Sequence, residues 1–427
     1  MVASTDIKFY VYTNNNAPQL DNVYGSMIRV LDDCLIDGIN VGTISSLTAS
    51  GATVTALFSS AHNLMQYQVI KITGANQSEF NGEHRILTVP NAQSVTFELA
   101  AMPSVTTATG TITASLPPLG WEKPFSSSNP NGGGKAAYRS TNLLLPSRPF
   151  LRVVDELDPA YNQSYAKYAK VGIVEDMTDI DTMLGVQAPF DAANPNRNWV
   201  AIGGGSSVIN GWSKWYYART NSLSSSNDTQ ALTNGGRQWL LVGNQDYFYI
   251  LPHFIPQVGV KAANPYGFGS FKRYFNDDVG NIFLSSSIRG ASASENSFIG
   301  SHSGISSNNS PNIILFKPLE QAHGFSSARA AYSVSANPHY SGASNYLQGS
   351  SSKTPLYPII LEENTSPFAN NPRGVRGELL NVYALALNEP FSDLQIFNKG
   401  NDLFIARVVT VNSQNTYGQL VFRIGEL

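Results

Sequence analysis

The chain has 427 residues, and only 57 of them are Lys, Arg, Asp or Glu (27 basic and 30 acidic), or 13%, where soluble domains average about 25%. The formal net charge of −3 argues against a nucleic-acid binder that relies on a basic surface. The 20 Tyr and 21 Phe residues exclude a chain that stays disordered. A polar, uncharged surface is typical of a protein covered by neighbouring subunits, or of an uncharged soluble β-protein.

The N-terminal segment predicts neither export nor membrane insertion. It lacks the basic and apolar regions of a signal peptide, and the sequence contains no run of eighteen apolar residues. We therefore expect a soluble protein that is synthesised in the cytoplasm and has no membrane span.

One helix is predicted, at 21–38. Its apolar side chains recur at helical spacing and share one face: Val23, Met27, Val30, Leu31, Cys34 and Leu35. Asp21 is placed to cap the helix and Gly38 to end it. Cys34 lies on the apolar face, where we expect it to be buried as a small hydrophobic residue. A single cysteine excludes a disulfide within the chain.

Residues 47–112 have the pattern of a small β-module inserted into another domain. β-Branched and aromatic residues alternate with polar ones in short runs, which indicates half-buried strands. The predicted strands are 53–58, 68–73, 83–89, 94–99 and 110–114. Such strands can close a small barrel or sandwich. We therefore predict a main domain of residues 1–46 and 113–427 interrupted by this module, with a partner-binding tip at 62–67 and 76–82.

After the insert, the sequence predicts an antiparallel sheet region. Strands are expected at 150–155, 170–175, 198–203, 214–219, 239–243 and 247–251, with a hairpin turn at 244–246. Residues 261–372 are loop-rich, and such loops are either flexible or ordered by partners. Strands return at 379–386, 394–398, 403–411 and 419–424. The predicted fold class is mainly β: an antiparallel sheet or sandwich main domain with one N-terminal helix and an inserted small β-barrel or sandwich.

The motif search favours a protein without catalytic chemistry. The six histidines are isolated from one another and form no HExxH motif: His62, His84, His253, His302, His323 and His339. The segment 131–136 (NGGGKA) lacks the spacing of a phosphate loop and reads as a flexible turn. The segment 203–207 (GGGSS) lacks the context of a hydrolase nucleophile. We predict no enzyme activity, no catalytic or metal-binding residue and no cofactor.

Two clusters keep alternative functions open. The acidic segment 175–182 (EDMTDIDT) could supply glycosidase carboxylates or bind Ca²⁺, but its spacing departs from a calcium loop, and a solvated or intersubunit role is favoured. Four aromatic residues could stack on a sugar, although strand alternation favours core or subunit contacts for them: Trp212, Trp215, Tyr216 and Tyr217.

Several short motifs follow one another between residues 17 and 250, and more weakly as far as Arg376-Gly377. They are 17–20 (APQL), 31–38 (LDDCLIDG), 120–121 (GW), 135–140 (KAAYRS), 151–153 (LRV) and 177–181 (MTDID). In this order they resemble a family of uncharacterised virion structural proteins of tailed bacteriophages. The insert separately resembles small β-modules of phage tail-associated proteins, through 62–64 (HNL), 69–75 (VIKITGA), 80–82 (FNG) and 109–111 (TGT). The resemblance implies a location in the virion, and it transfers no catalytic residue.

The expected function is that of a non-enzymatic structural component of a tailed-phage virion. It would assemble as a homo-oligomer in the tail, baseplate or neck, and contact other virion proteins but no nucleic acid. The first alternative is a receptor-binding or glycan-binding tail protein that contacts host surface glycan, and the second is a capsid decoration protein. A glycan-degrading enzyme that uses Asp179 and Asp181 is a further hypothesis.

Overall fold

The chain folds mainly as antiparallel β-structure, as its sequence predicts. The computed structural model describes residues 3–203, 211–219, 228–229, 231–253, 255–256, 263–276, 278, 280–288, 305, 313–319, 324–331, 356–364, 372–385, 390–413 and 416–426. Within these residues, 27 strands form three sheets and one α-helix lies near the N-terminus. In the same described part, no helix is long and apolar enough to cross a membrane.

The elements follow one another along the chain in three groups. The N-terminal group contains β1 (Lys8–Val11), α1 (Ser26–Asp32), β2 (Ile39–Ser50), β3 (Thr53–Phe58), β4 (Val69–Ala75), β5 (Gly82–Arg85), β6 (Thr88–Asn91), β7 (Ser94–Glu98) and β8 (Gly110–Leu116). The middle group contains β9 (Glu122–Ser128), β10 (Gly133–Arg139), β11 (Phe150–Glu156), β12 (Lys167–Met177), β13 (Met183–Ala188), β14 (Ser213–Ala218), β15 (Leu240–Gly243) and β16 (Tyr247–Ile250). The last group contains β17 (Tyr266–Ser270), β18 (Lys272–Arg273), β19 (Ile282–Ser285), β20 (Ser287–Ile288), β21 (Ile313–Leu315), β22 (Ser326–Ala331), β23 (Leu356–Asn364), β24 (Pro372–Leu385), β25 (Ile396–Lys399), β26 (Asp402–Ser413) and β27 (Thr416–Glu426).

The smallest unit is a seven-stranded sheet in the order β5-β4-β8-β2-β3-β7-β6. The long strand β2 joins its two halves, because residues 39–43 pair with β8 and residues 44–50 pair with β3. The predicted strand 53–58 coincides with β3, whereas the predicted strand 83–89 is divided into β5 and β6. The strands of this sheet run from residue 39 to residue 116, a wider range than 47–112. The division of the chain into a main domain and an insert stays a prediction.

The loop at 61–68 lies against the N-terminal segment of the chain. His62 is buried, and the carbonyl of Asn63 accepts a hydrogen bond from Asn14 (3.0 Å). Gln68 donates to the carbonyl of Phe9 (3.1 Å), and from β5 Arg85 donates to the carbonyl of Ile7 (3.0 Å). Part of the first half of the predicted tip therefore contacts the chain itself, whereas Asn63 and Gln66 are exposed, and binding of a partner there stays a prediction.

The second sheet has the order β20-β14-β12-β11-β10-β9, with β13 also paired to β12. Alternate residues of its central strands, such as Leu151 and Val153, face the main hydrophobic core. The segment 131–136 contains a turn at Asn131 and Gly132, but β10 begins at Gly133. The predicted strand 198–203 is wrong: residues 198–199 lie in turns, and no named strand includes the segment.

The largest sheet has the order β1-β15-β16-β17-β19-β21-β22-β23-β24-β27-β26-β25, with β18 paired to β24. It turns back on itself, so that its first strands are buried on both faces. In β16, Phe248 and Ile250 face the core shared with the second sheet, whereas Tyr247 and Tyr249 pack against the C-terminal strands. Strands buried on both sides read as continuous apolar runs, as in the sequence YFYI. The second sheet, the first strands of the largest sheet and its C-terminal strands therefore form three layers.

The region 261–372 contains strands that the sequence did not predict. β17, β19, β21, β22 and β23 all fall in the described parts of this region. The remaining residues of the predicted loops, including 289–304 and 332–355, lie outside the described residues. The four predicted C-terminal strands correspond to β24, β25, β26 and β27.

The predicted helix is shorter than its apolar pattern suggests. α1 begins after Gly25, which has a φ of 86°, and continues as a π-helical turn at Asp33–Asp37. Gly38 ends it with a φ of 80°, and Cys34 is buried, both as predicted. Val23 lies before the helix and is 55% exposed. Asp21 does not cap the helix; Asp155 of β11 accepts the hydrogen bond from Met27 N–H (3.0 Å).

Asp155 predicts a pH dependence of stability. It is fully buried, and burial raises its pKa to about 6, although hydrogen bonds from Tyr217 and from backbone N–H groups of α1 lower it. The unfolded chain has a carboxyl pKa of about 3.9, so folding favours the protonated form. We expect this group to make the free energy of unfolding fall as the pH rises from about 4 to about 6, with no further change above that.

The measurement is urea unfolding of wild type and Asp155→Asn at several pH values. The stability of the wild type should fall relative to the variant across this range. Asp33, whose pKa burial also raises to about 6, is present in both proteins, so the difference between them isolates Asp155. A difference that is constant with pH would contradict the expectation.

Candidate assembly surface

The acidic cluster 175–182 forms the end of β12 and the turn into β13, and its carboxylates bond within the chain. Asp181 forms ion pairs with Lys135 (2.8 Å) and Arg152 (2.6 Å). Burial raises the pKa of Asp181, but hydrogen bonds and charge from these two cations hold it below its usual range. Asp179 accepts hydrogen bonds from the backbone N–H groups of Asp181 and Thr182. A carboxyl with a lowered pKa does not suit a general acid, which needs a raised one.

The predicted aromatic group belongs to the protein interior. Trp215, Tyr216 and Tyr217 lie on β14 and are at most 1% exposed, and Trp212 is 4% exposed. The hydroxyl of Tyr217 donates to Asp155 (2.7 Å), and the hydroxyl of Tyr216 donates to Asp228 (2.6 Å). Their faces are therefore covered by the chain itself, which leaves no open platform for a sugar.

The histidines of the described part do not form a metal site. His62, His84 and His253 are buried and separate, and burial lowers the pKa of His253 to about 2. Among the described residues, no group of three His, Cys, Asp or Glu side chains could hold a metal ion. His302, His323, His339 and residues 204–207 lie outside the described residues.

Many cationic side chains are buried in the protein interior. In the part of the chain that the structure describes, six arginines are at most 3% exposed: Arg85, Arg152, Arg219, Arg237, Arg376 and Arg407. The surface is therefore poorer in charge than the sequence composition alone suggests, and depletion of charge is a property of protein interfaces.

Two exposed leucines project from the loop between β10 and β11. Leu143 is 78% exposed and Leu144 is 92% exposed; we call this pair the leucine tip. Single exposed apolar residues are common on proteins, but two adjacent leucines with so little cover form a small apolar surface. No motif in the sequence distinguishes them from the apolar residues of a strand.

Polar contacts hold the loop that carries the leucine tip. Asn142 accepts a hydrogen bond from Leu144 N–H (3.0 Å) and donates to Asp246 (2.8 Å) in the β15–β16 turn. Arg148 donates twice to the carbonyl of Ser140 (2.8 and 2.6 Å), across the base of the loop. The loop conformation is therefore set before any partner binds, which lowers the entropic cost of association.

A mostly apolar groove of about 640 Å³ lies beside β13. It is lined by Glu175, Gly185, Val186, Gln187, Phe190, Ala192, Gly324 and Phe325, and we call it the β13 groove. Phe190 is 37% exposed there. No residue of the leucine tip lines the groove, so the chain carries an apolar projection and an apolar recess at separate places.

The comparisons with known proteins do not identify the chain. No family model matches the sequence, and no curated protein matches it. Among solved structures, the chain is similar to one described as "Phage phi92 endosialidase", with 10% sequence identity and a TM-score of 0.16. The match covers 91% of this chain and 52% of that chain, so this chain spans about half the length of the endosialidase. At this TM-score the likeness carries no argument about function.

Proposed function

We propose that the chain is a non-enzymatic structural component of a tailed-phage virion and assembles with copies of itself in the tail, baseplate or neck. The carrying observation is that one chain has both the leucine tip and the β13 groove. A projection that fits a recess elsewhere on the same molecule makes a head-to-tail contact, and such contacts close into a ring when the rotation permits. The phage assignment is supported by the order of the motifs between residues 17 and 250.

The apolar surfaces of the chain also support self-assembly. Adjacent exposed leucines favour burial in a partner, since burying one leucine side chain contributes about 1.5–3 kcal/mol. The groove offers Val186, Phe190 and Phe325 as apolar contacts for them. In this interpretation, the acidic cluster serves internal ion pairs and takes no part in catalysis.

Replacing both leucines of the tip by aspartate should disrupt the oligomer. We expect Leu143→Asp/Leu144→Asp to raise the dissociation constant of self-association at least tenfold, because two charges would enter an apolar groove. The measurement is light scattering coupled to size exclusion over a range of protein concentrations. The matched control is Met102→Asp/Val105→Asp, which changes exposed apolar residues of the insert (75% and 37% exposed) and should leave assembly unchanged.

Two outcomes would contradict assembly through the tip. One is a wild-type protein that stays monomeric at every concentration, and the other is a tip variant that assembles like wild type. The virion assignment is tested separately by mass spectrometry of purified phage particles. A tail component should accompany isolated tails, whereas a capsid decoration protein should accompany isolated heads. Absence from purified particles would overturn the virion assignment.

A further inference from the structure

The part of the chain that the structure describes contains three Asn-Gly pairs, which differ in how their amides are held. They are Asn81-Gly82, Asn131-Gly132 and Asn234-Gly235. In such a pair the backbone nitrogen of glycine can attack the side-chain amide carbon of asparagine, because glycine has no Cβ to hinder the approach. The reaction needs an asparagine side chain that can turn toward the next residue and a glycine N–H that no other group holds.

Hydrogen bonds restrain two of these pairs. The side chain of Asn81 is clamped by Ala75, whose N–H donates to Oδ1 (3.1 Å) and whose carbonyl accepts from Nδ2 (2.8 Å). The pair Asn131-Gly132 lies in the turn between β9 and β10, where the N–H of Gly132 donates to the carbonyl of Asn129 (2.9 Å). The first pair has to break two hydrogen bonds in order to react, and the second has to give up the bond that closes its turn.

The pair Asn234-Gly235 lacks both restraints. Both residues are exposed, and among the described residues the N–H of Gly235 donates to no other group of the chain. Oδ1 of Asn234 accepts a hydrogen bond from Nδ2 of Asn22 (3.1 Å). This bond draws electron density away from the amide carbon and stabilises the negative charge that develops on Oδ1 during attack. The amide of Asn234 is therefore the better target for a nucleophile.

A buried arginine holds the backbone on both sides of Asn234. Arg237 is fully buried, and its guanidinium donates to the carbonyls of Thr233 (2.7 Å) and Gly235 (2.6 Å). A positive charge close to the peptide between Asn234 and Gly235 favours loss of the proton from the Gly235 nitrogen, which precedes the attack. The same charge favours a carboxylate at position 234 over the neutral amide.

We propose that Asn234 is a site of spontaneous deamidation. The Gly235 nitrogen attacks Cγ of Asn234 and forms the new C–N bond of a succinimide ring. The side-chain amide leaves as ammonia, with the proton that the Gly235 nitrogen gave up. One water molecule then opens the ring at either carbonyl, which gives aspartate or isoaspartate. The chain thereby gains one negative charge near Arg237 as it ages.

The test is peptide mass spectrometry of the folded full chain during incubation in mildly alkaline buffer, with fragmentation to locate each change. Replacing the amide by a carboxyl raises the mass of a peptide by about 1 Da. We expect this change at Asn234 at least about tenfold faster than at Asn81 and Asn131, because the hydrogen bonds of those two pairs have to break first. The matched control is the same chain in urea, where the three pairs should react at similar rates.

The variant Asn234→Gln provides a second measurement. Glutamine would have to close a larger ring, so position 234 should stay unmodified. Ion-exchange chromatography should show an acidic species that accumulates in wild type and more slowly in the variant, and circular dichroism checks that both are folded.

Three results would overturn the proposal. One is a folded chain in which Asn234 reacts no faster than Asn81. Another is a ratio of these two rates that is unchanged in urea, because the local sequence and not the fold then sets the rate. The third is an equal rate of acidification in wild type and Asn234→Gln. Since the reaction needs no partner, its outcome is separate from that of the self-association experiment.

Discussion

Arg376→Gln should lower the free energy of unfolding by about 3–5 kcal/mol. Arg376 of β24 is fully buried and forms two hydrogen bonds with Asp278 (2.8 and 2.7 Å) and one with Glu363 (2.9 Å). Both carboxylates are at most 2% exposed. Glutamine removes the positive charge and leaves two buried carboxylates without the cation that pairs with both of them, which is costly because each carboxylate has been taken out of water.

The network also connects the large sheet to the second sheet. Arg376 donates to the carbonyl of Lys317 (3.0 Å), whose ammonium group pairs with Glu175 (2.9 Å) of the second sheet. The measurement is urea unfolding at fixed protein concentration. Arg376→Lys should show an intermediate loss, because lysine keeps the charge but not the paired hydrogen bonds. Arg373→Gln changes an exposed arginine of the same strand and should cost less than about 1 kcal/mol. Equal losses at 373 and 376 would contradict the importance of the buried network.

Trp215→Ala should cost about 3–5 kcal/mol through the cavity that it leaves between the two sheets. Trp215 is fully buried, stacks on Tyr266 at 6.0 Å between ring centroids and meets the edge of Phe248 at 6.1 Å. Its indole N–H donates to the carbonyl of Ser285 (2.8 Å), across to the large sheet. The variant therefore loses apolar contact and leaves a buried acceptor without its donor.

Trp215→Phe separates these two effects. It keeps most of the ring volume, so its loss should be closer to the cost of one unsatisfied acceptor, about 1–3 kcal/mol. Thermal and urea unfolding measure both variants. If Trp215→Ala were to unfold at the same urea concentration as wild type, the residue would not be part of a packed core.

Much of the β-structure is predictable from alternation alone. β3 has the burial pattern of a strand with one buried face, and its sequence pattern identifies its ends correctly. β2 is harder to find, because Gly42 and several Ser and Thr residues interrupt its apolar pattern. The bulge between Asn40 and Gly42 also changes which side chains face inward. The sequence pattern therefore does not predict β2.

Other errors come from tertiary contacts. The apolar residues at 198–203 resemble a strand, but Trp199 packs on the outer face of β12 from a turn. Asp155 performs the capping role expected of Asp21, and it comes from a strand more than a hundred residues away. Sequence patterns report on residues that are close along the chain. They therefore do not predict contacts between distant segments, such as those of Trp199 and Asp155.

The leucine tip cannot be predicted from the sequence either. Leu143 and Leu144 have the composition of a strand interior, and only their exposure marks them as a surface. The exposure of these two side chains depends on the fold around their loop, and no motif in the sequence encodes it.

The pairing of β1 with β15 has a consequence for synthesis. The two strands begin at residues 8 and 240, so at about 5–20 residues per second the first waits on the order of 10–50 seconds for its partner. The small sheet ends at residue 116 and is complete in roughly half that time. Gln68 and Arg85 then hold the carbonyls of Phe9 and Ile7. The small sheet thus gives the N-terminal strand an early anchor while the nascent chain is still growing.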